Sequence, residues 1–172
     1  MMNGVVSAFL VAFAARQGIA GVHWHFTLNA AALILFRVIL AKHINEWSLK
    51  QNLYPAFITG ILTLVCIGFA NSLFLLLIAA VLKAFAAGMS QPSLQTEAMK
   101  STKAERRGTA ASTMYIGGDF GQAAGPILGG IIADRAGYSL MYLMGIIPLL
   151  LAGAYYVLRE KRRSGKKESC RA

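Results

Sequence analysis

Three side chains on one short stretch have the types and spacing to handle a proton or grip a polar solute in an apolar medium: Tyr115, Asp119 and Gln122. At about 100° per residue, with Gly117 at zero, they fall near 160°, 200° and 140° on a helical wheel. Pro126 and Ser112 join them at about 180° and 220°. A carboxylate, a phenol and an amide thus share one face, and Asp119 is the sole charge between Arg107 and Asp134. A carboxylate inside an apolar span is expensive and marks function by default. Two roles fit Asp119. As a coupling group it takes up and releases a proton while its surroundings change; as a structural group it caps or pairs with a neighbouring helix.

Other polar groups also interrupt apolar runs. Arg37 lies toward the end of the stretch 22–41, where it either snorkels to the interface or pairs with an acid from another helix. Lys83 lies deeper in the run 73–92, where snorkelling is harder and charge pairing or a cavity-facing position gains weight. Ser90, Gln91, Pro92, Gln95, Thr96 and Glu97 form a polar end to that helix. They fit a substrate path or gate, or simply a helix that has left the hydrocarbon. His23-Trp24-His25 places two imidazoles at alternate positions, which project to different faces of a helix, and no third ligand is near, so no metal site is expected. There is no phosphate loop, nucleophile elbow or zinc signature. Glu97, Asp119 and Asp134 lack a nearby basic or nucleophilic partner, which argues against an enzyme, and no cofactor is implied.

The elements that must position these groups are helices in a bilayer. Of 172 residues, 56% are hydrophobic and 14% charged, with a mean hydropathy of +0.56. Soluble domains carry about 25% charged residues, so the missing charge points to lipid. A spanning helix needs about 20 apolar residues. Runs 22–41, 54–70, 73–92, 108–133 and 137–158 meet that need, with breaks at Asn71-Ser72 and Asp134-Arg135-Ala136. The run 5–15 is too short to cross alone and reads as the surviving part of a further helix. The expectation is an all-α, polytopic bundle of about six helices over residues 1–158, followed by a basic tail over 159–172. Residues 54–70 and the last helix from Met141 to Leu158, where Pro148 is the one irregularity, look like outer supports facing lipid.

The net charge of +10 is concentrated in three clusters: Lys42 to Lys50, Lys100 to Arg107 and Arg159 to Arg171. Basic residues between apolar runs indicate orientation rather than a nucleic-acid partner. The opposite loops carry only Arg16 and Arg135, so the 42–53 and 98–107 loops and the C-terminus are expected in the cytoplasm, with the chain in the inner (plasma) membrane. The tail reads as a disordered anchor on anionic headgroups. Cys66 and Cys170 set no disulfide framework, and no cleavable signal is apparent.

Gly117, Gly121, Gly125 and Gly129 recur every four residues and drift from zero to about 120° on the wheel. In water each would cost a helix about 1 kcal/mol against Ala; in a bilayer such a strip, with Pro126 beside it, lets another helix approach its backbone. Ile116, Phe120, Ala123 and Ile127 occupy about 240–300°. The helix therefore has a packing face, a polar face and a lipid face.

Arg-Gly-Thr-Ala-Ala-Ser-Thr over 107–113, followed by Gly-Asp-Phe-Gly-Gln-Ala-Ala-Gly-Pro-Ile-Leu-Gly-Gly over 118–130, resembles the eleventh helix of major facilitator superfamily transporters, especially drug-efflux-like members. Phe26 to Arg37 resembles their eighth helix, Gln91-Pro92 their tenth, and Gly4 to Arg16 the latter part of their seventh. The resemblance implies the C-terminal six-helix half of a secondary transporter, with solute bound near the midplane between two halves that rock. It implies an efflux-type carrier of a small organic solute exchanged for protons, with a separate N-terminal half or a second copy as partner. Asp119, Gln122, Tyr115, Gln95, Arg37 and Lys83 are the expected path or coupling residues. Gly117, Gly121, Gly125, Gly129 and Pro126 are the expected packing residues. The chain departs from the family after its eighth helix, where Gly, Asp-Arg and Gly are common. Here Ala41, Asn45-Glu46 and Ser48 stand, followed by Leu49-Lys50. The six helices of a first half do not precede these, so one wall of the cavity is expected to come from elsewhere. A non-transporting membrane interaction protein, using the glycine strip to bind a full transporter, is the alternative.

Overall fold

Apolar runs become helices because a backbone in hydrocarbon must satisfy its own hydrogen bonds. The computed structural model describes the backbone of residues 2–169 and the side chains of 3–41 and 47–158. The Lys42 side chain, the basic side chains of the tail, and Cys170 lie outside it. The helices are α1 (Met2–Arg16), α2 (His23–Glu46), α3 (Leu49–Gly68), α4 (Leu73–Lys100), α5 (Arg107–Met144) and α6 (Ile146–Ser169), with a 3-10 turn at Ala104–Arg106. No strand occurs among the described residues. His23–Ala41, Leu49–Gly68, Leu73–Lys100 and Ala104–Leu158 are long and apolar enough to cross a membrane, and Asn3–Arg16 is a shorter apolar helix.

The longest of these stretches is two helices. Gly137 adopts φ 83° and ψ 164°, a conformation essentially closed to residues with a Cβ, and divides α5 into arms over 107–136 and 138–144. The break expected at Asp134-Arg135-Ala136 therefore falls at Gly137. The second arm leads through Gly145 into α6. The loop expected over 42–53 is also shorter, because α2 runs on to Glu46 and α3 starts at Leu49. The Ser48 N–H donates to Gln51 Oε1 at 3.1 Å and fixes that start. The tail is helical in backbone as far as Ser169 rather than disordered. Lys, Arg and Glu are good helix formers, and basic groups suit a helix C-terminus.

Partner residues give the directions. Gly4 lies beside Gln122, and Arg16 stacks over the Tyr138 ring at 4.9 Å, so α1 runs parallel to the first arm of α5. His25 meets Leu76 and Arg37 meets Gln91, so α2 runs parallel to α4. One end of the bundle, here the basic end, carries residues 47–49 and 100–107; the far end carries the turns 17–22 and 69–72. Toward the far end Leu10 and Phe13 of α1, Leu64 and Ile67 of α3, Leu76 of α4 and Tyr142 of α5 form one buried cluster. Phe13 meets Tyr142 edge-on at 5.5 Å.

Two expectations change. Residues 54–70 are not an outer support: α3 packs on α4, α5 and α6 and buries Asn52, Gly60, Thr63 and Leu64. Its Thr63 hydroxyl returns to the Thr59 carbonyl at 2.8 Å, which lets a polar residue enter an apolar contact. The last helix is also not peripheral throughout, since Met141 and Tyr142 are buried while Ile147, Leu150 and Leu151 are exposed.

The contact that places α5 joins it to α1. Pro126 has no amide hydrogen, which frees the Gln122 carbonyl four residues earlier. Gly4 sits against that carbonyl: a Cβ there would overlap the Gln122 oxygen and come within 3.2 Å of Pro126 Cδ. Farther along, a Cβ at Gly129 would lie 3.3 Å from Met141 Sδ and 3.5 Å from Phe9 Cε2. Gly137→Ala should lower stability by about 1–3 kcal/mol in chemical unfolding from micelles, because its backbone conformation excludes a Cβ. Unchanged stability would mean that the break does not depend on glycine.

Candidate functional site

With α1 on one side of α5, its polar face opens into a cavity of about 1270 Å³ whose walls come from α1, α2, α4, α5 and α6. Arg37, Gln91, Gln95, Tyr115, Asp119 and Gln122 give it a polar side; Met114, Met144, Ile147, Pro148 and Leu151 give it an apolar side. Pockets that take drug-sized molecules run to about 300–1,000 Å³ and are mostly apolar with a few fixed polar groups.

Two hydrogen bonds tie the polar wall together. Arg37 Nη2 donates to Gln91 Oε1 at 3.2 Å, linking α2 to α4. Gln95 Nε2 donates to the Tyr115 hydroxyl at 3.0 Å, linking α4 to α5. Gln91 and Gln95 are one turn apart on α4, so a single helix face serves both neighbours. Arg37 is thus bound to an amide, not to an acid. Asp119 and Gln122 are exposed along the cavity, and Asp119 makes no hydrogen bond or ion pair with a described residue. Among the described residues no group of three His, Cys, Asp or Glu could hold a metal.

Lys83 is elsewhere. It is buried on α4, does not line this cavity, and lies within electrostatic reach of His25. The glycines divide as well. Gly125 and Gly129 are buried and line the cavity's edge, whereas a Cβ at Gly117 would meet nothing within 4 Å. Gly121 is half-buried between them. The lipid face is outward, with Ile116, Phe120 and Ile127 exposed.

Sequence reasoning missed Gly4 and Asn3 of α1, which reach the α5 backbone and the cavity. It also passed over Asn29, whose spacing from His25 was a usable signal: polar groups at i and i+4 in an apolar run mark a buried helix face.

The arrangement offers hydrogen-bond donors and acceptors, one guanidinium and one carboxylate opposite an apolar wall, which suits a small amphipathic solute. A family model described as the Major Facilitator Superfamily matches residues 1–171. The chain belongs to the Major Facilitator Superfamily. No curated protein and no solved structure matches it. As a Major Facilitator protein it is a multi-pass membrane protein of a transporter family. Its α1–α5 and α4–α2 pairs exchange when the first three helices are swapped with the last three, as inverted repeats require.

A double-mutant cycle on Gln95→Leu and Tyr115→Phe should give a coupling of about 0.6 kcal/mol, typical of interhelical hydrogen bonds in membranes. Strict additivity of the two unfolding free energies would remove this link between α4 and α5.

Proposed function

We propose that this Major Facilitator chain forms one wall of the solute pathway in a secondary active transporter that exports a small organic solute in exchange for protons. Asp119 carries the reading: an exposed, unpaired carboxylate on the cavity face of an otherwise uncharged helix. Tyr115, Gln122, Gln95 and Arg37 orient the solute, and Asp119 takes up and releases the proton. The other wall comes from a separate N-terminal half or a second copy. In support, α2 and α5, which carry Arg37 and Asp119, also expose large apolar side chains, with Val38 at 72% and Phe120 at 76%. Gly117 leaves open backbone on the same helix for a close neighbour. The basic loops and tail place the C-terminus in the cytoplasm and the protein in the inner membrane.

Flux in proteoliposomes, measured with and without a co-expressed N-terminal half, tests this. Transport is expected only with the second half, and Asp119→Asn should abolish its dependence on the pH gradient while leaving assembly intact. Flux from the chain alone would contradict the need for a second wall, and a pH-gradient dependence surviving Asp119→Asn would remove Asp119 from coupling. Binding to an intact transporter without any flux would favour the interaction-protein reading.

A further inference from the structure

A second group of polar side chains lies outside the cavity, between the far ends of α2 and α4. His25, the third residue of α2, is 0% exposed, and its Nδ1 lies 2.7 Å from the Leu76 carbonyl oxygen. A carbonyl only accepts, so Nδ1 carries the hydrogen and Nε2 of the neutral ring holds a lone pair. That nitrogen is buried without a hydrogen-bond partner. One turn on, Asn29 Nδ2 donates to the Ala80 carbonyl at 2.9 Å. Two polar residues of α2 therefore engage two successive carbonyls on one face of α4.

Lys83 is the next polar group along that helix. It is 5% exposed, and its charge acts on His25. As the eleventh residue of α4 it lies about 15 Å along the axis from the helix start. Side chains lean toward the N-terminus of their own helix, so its stem rises toward His25. Of the neighbouring elements, α3 brings Cys66 to the far side, and α5 brings Asp134, Tyr138 and Tyr142. Lys50, Tyr54 and Asp119 belong to the other side. Among the described residues no carboxylate pairs with Lys83 or with His25. An apolar helix contact gains no stability from a cation without a counter-charge, so packing alone does not account for a lysine here.

We propose that His25 and Lys83 together hold one exchangeable proton on the far side of the bundle, with His25 Nε2 as its port toward solvent. In the loaded form Lys83 Nζ is an ammonium and His25 is neutral. On release the proton passes from Nζ to Nε2, giving an imidazolium whose Nδ1–H stays on the Leu76 carbonyl. It then leaves Nε2 for water at the helix end beside the turn 17–22, and the charge of the site falls from one to zero. Asp119 lines the cavity on the other side of the bundle, so a transport cycle has a proton site on each side. The place of this site in transport rests on the transporter reading above; the sharing of a proton between the two residues does not.

The full chain in lipid nanodiscs, labelled at its three histidines and with His25 identified through His25→Gln, tests the proposal by nitrogen NMR across pH. Lys83→Met should change the proton concentration at the His25 midpoint about tenfold, as for two strongly coupled groups, and should retain or raise thermal stability. An unchanged His25 midpoint in folded Lys83→Met overturns the proposal. Lys83→Gln carries the same expectation and the same refutation if the first variant does not fold. With the second half present in liposomes, Lys83→Met should still bind solute but lose part of the pH-gradient dependence. Coupling between His25 and Lys83 without any wild-type flux would support the proton site and overturn the transport reading. Flux without that coupling would do the reverse.

Discussion

A missing amide hydrogen sets the geometry on which the cavity depends. Pro126 frees the Gln122 carbonyl, and Gly4 of α1 is the residue small enough to lie on it. In a bilayer, with no hydrophobic drive between helices, close backbone contact and interhelical polar contacts carry the association. Fixing α1 on this side of α5 leaves Tyr115, Asp119 and Gln122 on the open side, along the cavity. The aromatic contacts of Phe9 and Phe13 with Tyr138 and Tyr142 then close the far end. Packing and pathway are thus opposite consequences of one helix placement.

The ionisable groups inside the bundle separate into two environments. Arg37 and Asp119 share a roomy cavity with amides and a phenol, where an incoming solute can meet them. Lys83 and His25 are enclosed between α2 and α4, where backbone carbonyls hold the ring and the neighbouring amide in place. The first environment admits molecules; the second admits a proton. In a Major Facilitator chain, solute handling and proton handling then need not fall on the same side chains.

Helical periodicity made much of this legible. The apolar runs marked the helices, and the wheel of 107–133 correctly turned Ile116, Phe120 and Ile127 outward. It also brought Tyr115, Asp119 and Gln122 to one face, and all three line the cavity. Periodicity says which residues share a face but not which neighbour covers it. The glycine strip therefore read as one packing surface, although Gly129 meets α1 and Gly117 meets nothing within this chain. For the same reason α3 read as plain and peripheral, because uncharged residues look alike to lipid and to α4. His25 read as an interfacial histidine because its partner, the Leu76 carbonyl, is a backbone group 51 residues away that no side-chain pattern announces.

The most direct measurement compares the thermal stability of Gly4→Ala and Gly117→Ala in the same chain in nanodiscs. Overpacking the contact with Gln122 and Pro126 should cost Gly4→Ala about 1–3 kcal/mol, while Gly117→Ala, with open space around it, should be neutral or more stable by up to about 1 kcal/mol. Equal stability of the two variants, or the opposite order, would contradict an α5 placement governed by α1.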